Sequence, residues 1–253
     1  MAAHTPYPEH LRSTYDRELL DVGLREKNAS RLYRAFMLAG LWQANIRLLD
    51  VGSGTGILFS ALGNDVNLRV ACDLRRNIFA PTRQQLKNVL FAQCDGCALP
   101  FPDGHFELVT CLAVIEEITN WQAALAEMGR CVAPGGMLYV TIVNGKLLLK
   151  IYSIGETLGF RIREDWWLYA HNAQTNFNTP RPDEGLGILN MSEWRFIDVT
   201  PYLLQSQWTW TRLIPMPLLA RLTQRIAPSY GYAWQKRKSS GNAKTGENRL
   251  CAA

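Results

Sequence analysis

LLDVGSGTG, residues 48–56, joins an apolar run to a turn built on three glycines. The run IRLLDV, 46–51, reads as a strand, because strands of a parallel sheet covered on both faces are nearly unbroken apolar stretches. Gly52, Gly54 and Gly56 then alternate with Ser53 and Thr55. Glycine there permits positive φ and lets a ligand approach the backbone closely. ILFSALG, 57–63, continues as a short helix closed by Gly63, and a helix N-terminus favours an anionic group. The spacing excludes two common phosphate-binding loops. A dinucleotide fingerprint requires glycine or alanine at 57, where Ile57 stands, and a phosphate loop requires a lysine that the loop lacks. Asp50 precedes the turn; its carboxylate would repel a pyrophosphate but suits an ammonium group.

Working outward, NLRVAC (67–72) is a second strand ended by Asp73, which lies 21 residues past Gly52. An acid at that point can accept both hydroxyls of a ribose. The pair Asp50 and Asp73 therefore suggests a nucleoside carrying an amino acid. A helix is expected to begin near Pro81. VLFAQ (89–93) and FELVTC (106–111) are the third and fourth strands. Residues 120–132 read as a helix with Asn120 as N-cap and Leu125, Met128 and Val132 on one face. Pro134-Gly135-Gly136 turns into MLYVTIV (137–143), the fifth strand. This alternation predicts a doubly wound α/β sheet that binds ligands outside the carboxyl ends of its strands. Upstream, residues 25–40 predict a helix carrying Leu32, Phe36 and Ala39 on one face, with Gly40 as its cap. Beyond 145 the alternation stops. KLLLKIYSIGETLG (146–159) predicts a helix, 160–195 is irregular and rich in aromatics, and FIDVTPYLL (196–204) and YGYAWQK (230–236) predict two more strands around a short helix at 217–226.

The chain has 253 residues, 47% apolar and 19% charged, which suits a folded domain with a substantial core. Its net charge of +5 gathers locally at Lys236, Arg237, Lys238, Lys244 and Arg249, and 239–253 reads as a flexible basic tail. Without interleaved aromatics this tail does not indicate nucleic-acid binding. No apolar run reaches the roughly 18 residues needed to span a bilayer, and MAAHTPYPEHLRSTYDRE lacks a secretory signal pattern. Six sparse cysteines, at 72, 94, 97, 111, 131 and 251, fit a reduced, cytoplasmic setting. Cys94 and Cys97 flank Asp95-Gly96 with metal-clip spacing, but no second ligand pair follows and structural zinc takes four ligands, so no metal is expected.

LLDVGSGTG, CDLRRN, CDGCALPFPDGHFELV and RCVAPGGMLYV resemble, in order and spacing, the motifs of class I S-adenosylmethionine-dependent methyltransferases. The resemblance runs from about residue 46 to 143, more than a third of the chain. It implies a doubly wound, mostly parallel, seven-stranded Rossmann-like sheet with an N-terminal helical cap and a lid inserted between strands five and six. The chain would be one domain, 1–238, with a cofactor core at 41–145 and the acceptor pocket formed by 1–30 and 146–195. The cofactor would be S-adenosyl-L-methionine, the product S-adenosyl-L-homocysteine. Gly52, Ser53, Gly54 and Gly56 would pack against its methionine part, with Asp50 beside them. Asp73 would bind the ribose and Leu74 flank the adenine. Asp95 would accept from the adenine amine, with Gly96 at the ring edge. Cys111 would lie near the sulfonium, and Tyr15, in the stretch YDREL, would close over the methionine moiety. In one place the sequence departs from the pattern. Where the family often reads Leu-Glu-His-Val, residues 114–118 read VIEEI, with Glu117 in the histidine's place. Glu117 is a candidate base, or a helix-start carboxylate.

Methyl transfer needs alignment of donor and acceptor, and a base only when the acceptor keeps its proton. Six of the eight tryptophans lie beyond residue 160. The stretch WWLYAHNAQTNFN mixes rings and amides and suits an aromatic or heteroaromatic small molecule, methylated on oxygen or nitrogen. Trp166, Trp167 and Tyr169 are its candidate binding residues and His171 its candidate base. Two alternatives stand beside this reading. LIPMPLLARLTQRI (213–226), with leucines opposite Arg221 and Arg225, would suit a lipid or quinone methyltransferase at a membrane surface. The lack of a conspicuous catalytic group would suit a non-catalytic cofactor-binding module. The expected partner is a small molecule, with no nucleic acid and no stable membrane association; oligomeric state stays open.

Overall fold

A computed structural model describes residues 45–62, 68–80, 82–161, 164, 167, 170–172, 189, 192–202 and 229–238. The expected helices at 25–40 and 217–226, Tyr15, Trp166, Tyr169 and the tail lie outside the described residues.

Seven strands form one sheet: β1 Arg47–Val51, β2 Leu68–Asp73, β3 Leu90–Gln93, β4 Phe106–Leu112, β5 Val132–Val143, β6 Trp194–Tyr202 and β7 Ser229–Lys236, in the order β3-β2-β1-β4-β5-β7-β6. The first five pair parallel, and β7 inserts antiparallel between β5 and β6. Three helices are described along their whole length: α1 Ile57–Leu62, α2 Trp121–Cys131 and α3 Gly145–Thr157; residues 164, 167 and 170–172 are helical as well, within the stretch expected to be irregular.

Strand alternation divides the apolar residues between the two faces of the sheet. Leu49, Val109, Leu138 and Val140 pack with Leu125 and Met128 of α2. Leu48, Leu108, Tyr139 and Ala233 pack with Leu58, Phe59 and Leu62 of α1. Each fully buried aliphatic side chain contributes roughly 1.5–3 kcal/mol, so both faces fix the height at which β1, β2 and β4 end.

Three further elements differ from the sequence reading. No helix forms at 82–88; a 3-10 turn at Arg76–Phe79 leads into turns in which Thr82 N donates to Phe79 O (3.2 Å) and Gln85 N to Thr82 O (2.9 Å). Helices in proteins rest on burying an apolar face, and TRQQLKN offers only Leu86. The Thr82 hydroxyl donates instead to the Thr55 carbonyl, tying these turns to the glycine loop. Second, Pro134-Gly135-Gly136 lies within β5, not before it. The register slips between Phe106↔Val132 and Leu108↔Met137, as at a bulge, and a Cβ on Gly136 would come within 2.8 Å of the Glu107 carbonyl. Val132 accordingly opens β5 instead of closing α2. Third, Asn120 is the N-cap of α2 but its side chain makes no capping bond.

Candidate cofactor site at the carboxyl ends of the strands

The turn after β1 folds back over the end of β2. Gly52 N and Ser53 N both donate to the Cys72 carbonyl at 2.9 Å. Gly52 has φ +71°, and a Cβ there would lie 2.4 Å from Val114 Cγ1, so only glycine fits. Gly54 differs. Its φ is +55°, yet a Cβ added there would meet no atom within 4 Å, so the space beside it is open.

Asp73, at the end of β2, is held by two backbone donors. Gly54 N gives to its Oδ2 and Arg75 N to its Oδ1, both at 3.0 Å. Oδ1 also accepts from Arg75 Nε at 3.5 Å, while Oδ2 keeps a further lone pair for an incoming hydroxyl. Leu74 beside it is 66% exposed, an apolar side chain standing in water next to a carboxylate. Cys94 N donates to the Asp73 carbonyl at 3.1 Å, which brings the turn after β3 alongside. In that turn Asp95 Oδ1 accepts from Cys97 N at 2.9 Å, and the carboxylate is otherwise exposed.

Asp50 is buried and accepts from the Thr110 hydroxyl at 2.7 Å. Burial raises its pKa to about 7; the Thr110 bond opposes this and the charge of Asp73 adds to it. Ser53 Oγ is buried with no hydrogen-bonding partner among the described residues. Buried polar groups are nearly always satisfied, so this hydroxyl points to a ligand.

Cys94 and Cys97 do not converge. The Cys94 thiol bonds Cys72, which holds Cys72 protonated and lowers Cys94, while Cys97 Sγ lies 3.4 Å from the Asn120 carbonyl. No three His, Cys, Asp or Glu side chains gather as a metal site among the described residues. The Cys111 thiol is fully buried in the core with Ala124 and Leu125 of α2, and burial lifts its pKa well above the usual thiol range. Alternation along β4 turns Cys111 toward α2 and its neighbour Thr110 toward Asp50. Thr110 is the residue that sequence reasoning missed; the same alternation could have found it.

Glu117 sits in the 3-10 turn Ile115–Glu117 after β4. Asn172 Nδ2 donates to its Oε2 at 3.5 Å. The adjacent His171 stacks on Trp167, with ring centroids 5.1 Å apart and planes 7° from parallel. Glu117 and the 171–172 segment are thus neighbours, a link that Asn172 supplies and that no motif announced. Glu116 is fully buried, its Oε1 accepting from Val143 N at 3.0 Å.

Residues 49–140 match the family described as a methyltransferase domain. A ubiquinone/menaquinone biosynthesis C-methyltransferase, UbiE, of Cupriavidus metallidurans is 32% identical over 182 residues, covering 61% of this chain and 69% of that relative. The chain belongs to the class I S-adenosylmethionine-dependent methyltransferase family. The same-named protein of Shewanella pealeana is 31% identical over 138 residues, covering 49% of this methyltransferase-family chain and 55% of the relative. The chain spans about half the length of the curated relatives it matches first. Among solved structures, the S-adenosylmethionine-dependent methyltransferase of Mesorhizobium loti superposes with a TM-score of 0.55 at 14% identity, covering 80% of this chain and 98% of that one. The corresponding enzyme of Aquifex aeolicus gives 0.54 at 15% identity, covering 88% and 97%. These two likenesses concern the fold. The family implies S-adenosylmethionine, and the residues present fit it: an unsatisfied buried hydroxyl at Ser53, open space at Gly54, and carboxylates at Asp73 and Asp95 on adjacent strand ends.

Proposed function

We propose that the protein methylates a small aromatic acceptor with S-adenosylmethionine as donor. When bound, that cofactor supplies a methyl carbon activated by an adjacent sulfonium and leaves as S-adenosylhomocysteine. The chain's own residues hold and align. Asp73, fixed by Gly54 N and Arg75 N, accepts the ribose hydroxyls; this clamp is the observation that carries the reading. Leu74 covers one adenine face. Asp95 takes the exocyclic amine through the oxygen that Cys97 N leaves open, with Gly96 at the ring edge. Ser53, Gly52, Gly54 and Gly56 contact the methionine end. Asp50, ionised by a nearby ammonium, balances its charge, and Tyr15 closes over it.

On the acceptor side Trp167 offers an exposed ring, with Trp166 and Tyr169 assigned beside it as part of a lid drawn from 146–195. Glu117 and His171 are the candidate bases that take the acceptor's proton as the new bond forms. A positioned base contributes typically 10²–10⁴-fold. The sequence alone suggests oxygen or nitrogen as the methylated atom. The relatives named for quinone biosynthesis favour the alternative, carbon of a quinone-type ring. A cytoplasmic setting belongs to this proposal and is supported by the sparse cysteines; no helix among the described residues is long and apolar enough to cross a membrane.

The test is mass spectrometry of products from S-adenosylmethionine and a panel of phenols, heteroaromatic amines and short-chain quinols. Ring-carbon methylation of a quinol supports the second acceptor class and O- or N-methylation the first. Cofactor binding without transfer to any of them would favour a non-catalytic binding module.

A further inference from the structure

Helix α3 is the least explained element of the fold. Its sequence, GKLLLKIYSIGET, is largely apolar, yet of its 13 residues only Gly145 is buried. Ile151 is 48% exposed, Ile154 53% and Leu158, at the C-cap, 68%. Their spacing of three and four places them on one stripe. The helix then ends in a glycine-terminated turn. Gly159, at φ +83°, donates to Glu156 O and Phe160 N donates to Gly155 O, both at 2.9 Å. That turn fixes the backbone position of Phe160, which is 66% exposed.

The charges around this stripe are not random. Lys146 and Lys150, both exposed, lie one turn apart along one edge, and exposed Arg161 follows the turn. Glu156, the only acid in α3, is five residues past Ile151 and so falls on the far side of the helix. An exposed apolar stripe edged by cations complements a surface that is apolar beneath and anionic on top. The net charge of +5 favours approach to such a surface. Thirteen residues span about 20 Å, too short to cross the ~30 Å hydrocarbon layer, so the helix would lie in the plane. Four partly exposed side chains also fall short of the roughly 800 Å² per partner of a standard protein interface, which argues against a second copy.

We propose that α3 docks on an anionic lipid bilayer, with Ile151, Ile154, Leu158 and Phe160 at the acyl boundary and Lys146, Lys150 and Arg161 at the headgroup phosphates. This departs from the sequence-based expectation of no stable membrane association. It does not depend on the identity of the acceptor.

The experiment is co-sedimentation of the full chain with vesicles of phosphatidylcholine containing phosphatidylglycerol, and with phosphatidylcholine alone. The chain should bind the anionic vesicles, and binding should weaken as salt rises. Lys146→Ala should lower the partition coefficient about fivefold, and Lys146→Ala with Lys150→Ala about 25-fold. Ile151→Ser with Leu158→Ser should abolish sedimentation. All variants should keep the wild-type melting temperature and affinity for S-adenosylhomocysteine, which separates lost docking from lost folding and from a failed cofactor site. The proposal is overturned by no sedimentation with anionic vesicles, by equal sedimentation of the Ile151→Ser/Leu158→Ser variant, or by light scattering that shows a dimer dissolved by that variant.

Discussion

Replacing Asp50 with asparagine should stabilise the fold while weakening the cofactor site. In the folded chain burial raises Asp50 from 3.8 to about 7. The protonated form is therefore preferred on folding. The stability linked to this group is fully present below pH 4, is lost progressively as pH rises to 7, and stays lost above. The rise from 3.8 to about 7 corresponds to at most about 4 kcal/mol. Asparagine is neutral at every pH and its Oδ1 can still accept from the Thr110 hydroxyl. Its amide must find a buried acceptor, at a cost of about 1–3 kcal/mol if it finds none. The net expectation at pH 8 is about 1–3 kcal/mol of stabilisation, or a melting temperature higher by several degrees in a chain of this size. At pH 4 the variant should equal the wild type or fall below it. Thermal melts at both pH values give the comparison, and calorimetry at pH 8 should show weaker binding of S-adenosylmethionine. A wild-type-to-variant difference that does not change between pH 4 and pH 8 would refute the burial argument.

Cys94→Ser with Cys97→Ser should leave cofactor affinity within about 1 kcal/mol, since neither thiol is assigned a ligand bond. Asp95→Ala should cost more in the same titration and should relax discrimination between adenosine- and inosine-type cofactors. Glu117→Gln should lower kcat by 10²-fold or more with cofactor affinity unchanged if the carboxylate takes a proton, and equal losses in both would mark it as structural. Gly52→Ala should destabilise the fold by more than the roughly 1–2 kcal/mol of a left-handed residue, because its Cβ also meets Val114 at 2.4 Å; a melting temperature unchanged from wild type would contradict that packing.

The glycine turn, Asp73 and five parallel strands were legible because each rests on local chemistry. Glycines mark positive φ, continuous apolar runs mark strands buried on both faces, and an acid ends β2. Residues set by tertiary contact were not legible. The helix expected near Pro81 is replaced by turns because Thr82 reaches the Thr55 carbonyl across the loop. The facing of β4 buries the Cys111 thiol in the core and brings Thr110 to Asp50, a pairing that no motif marks. Glu117 was noticed for its position, but its partner Asn172 stands 55 residues away and no spacing rule connects them. The exposed stripe of α3 was equally hidden, since an apolar helix in sequence reads as one that packs on the sheet.

Titration calorimetry of S-adenosylhomocysteine into the wild type and Asp73→Ala tests the cofactor site most directly. The wild type should bind at micromolar concentrations without added metal. The variant should remain folded and bind about 1–3 kcal/mol more weakly, because the ribose hydroxyls lose the acceptor that Gly54 N and Arg75 N hold in place. Equal affinity of the two proteins, or no binding by the wild type, would contradict the assignment.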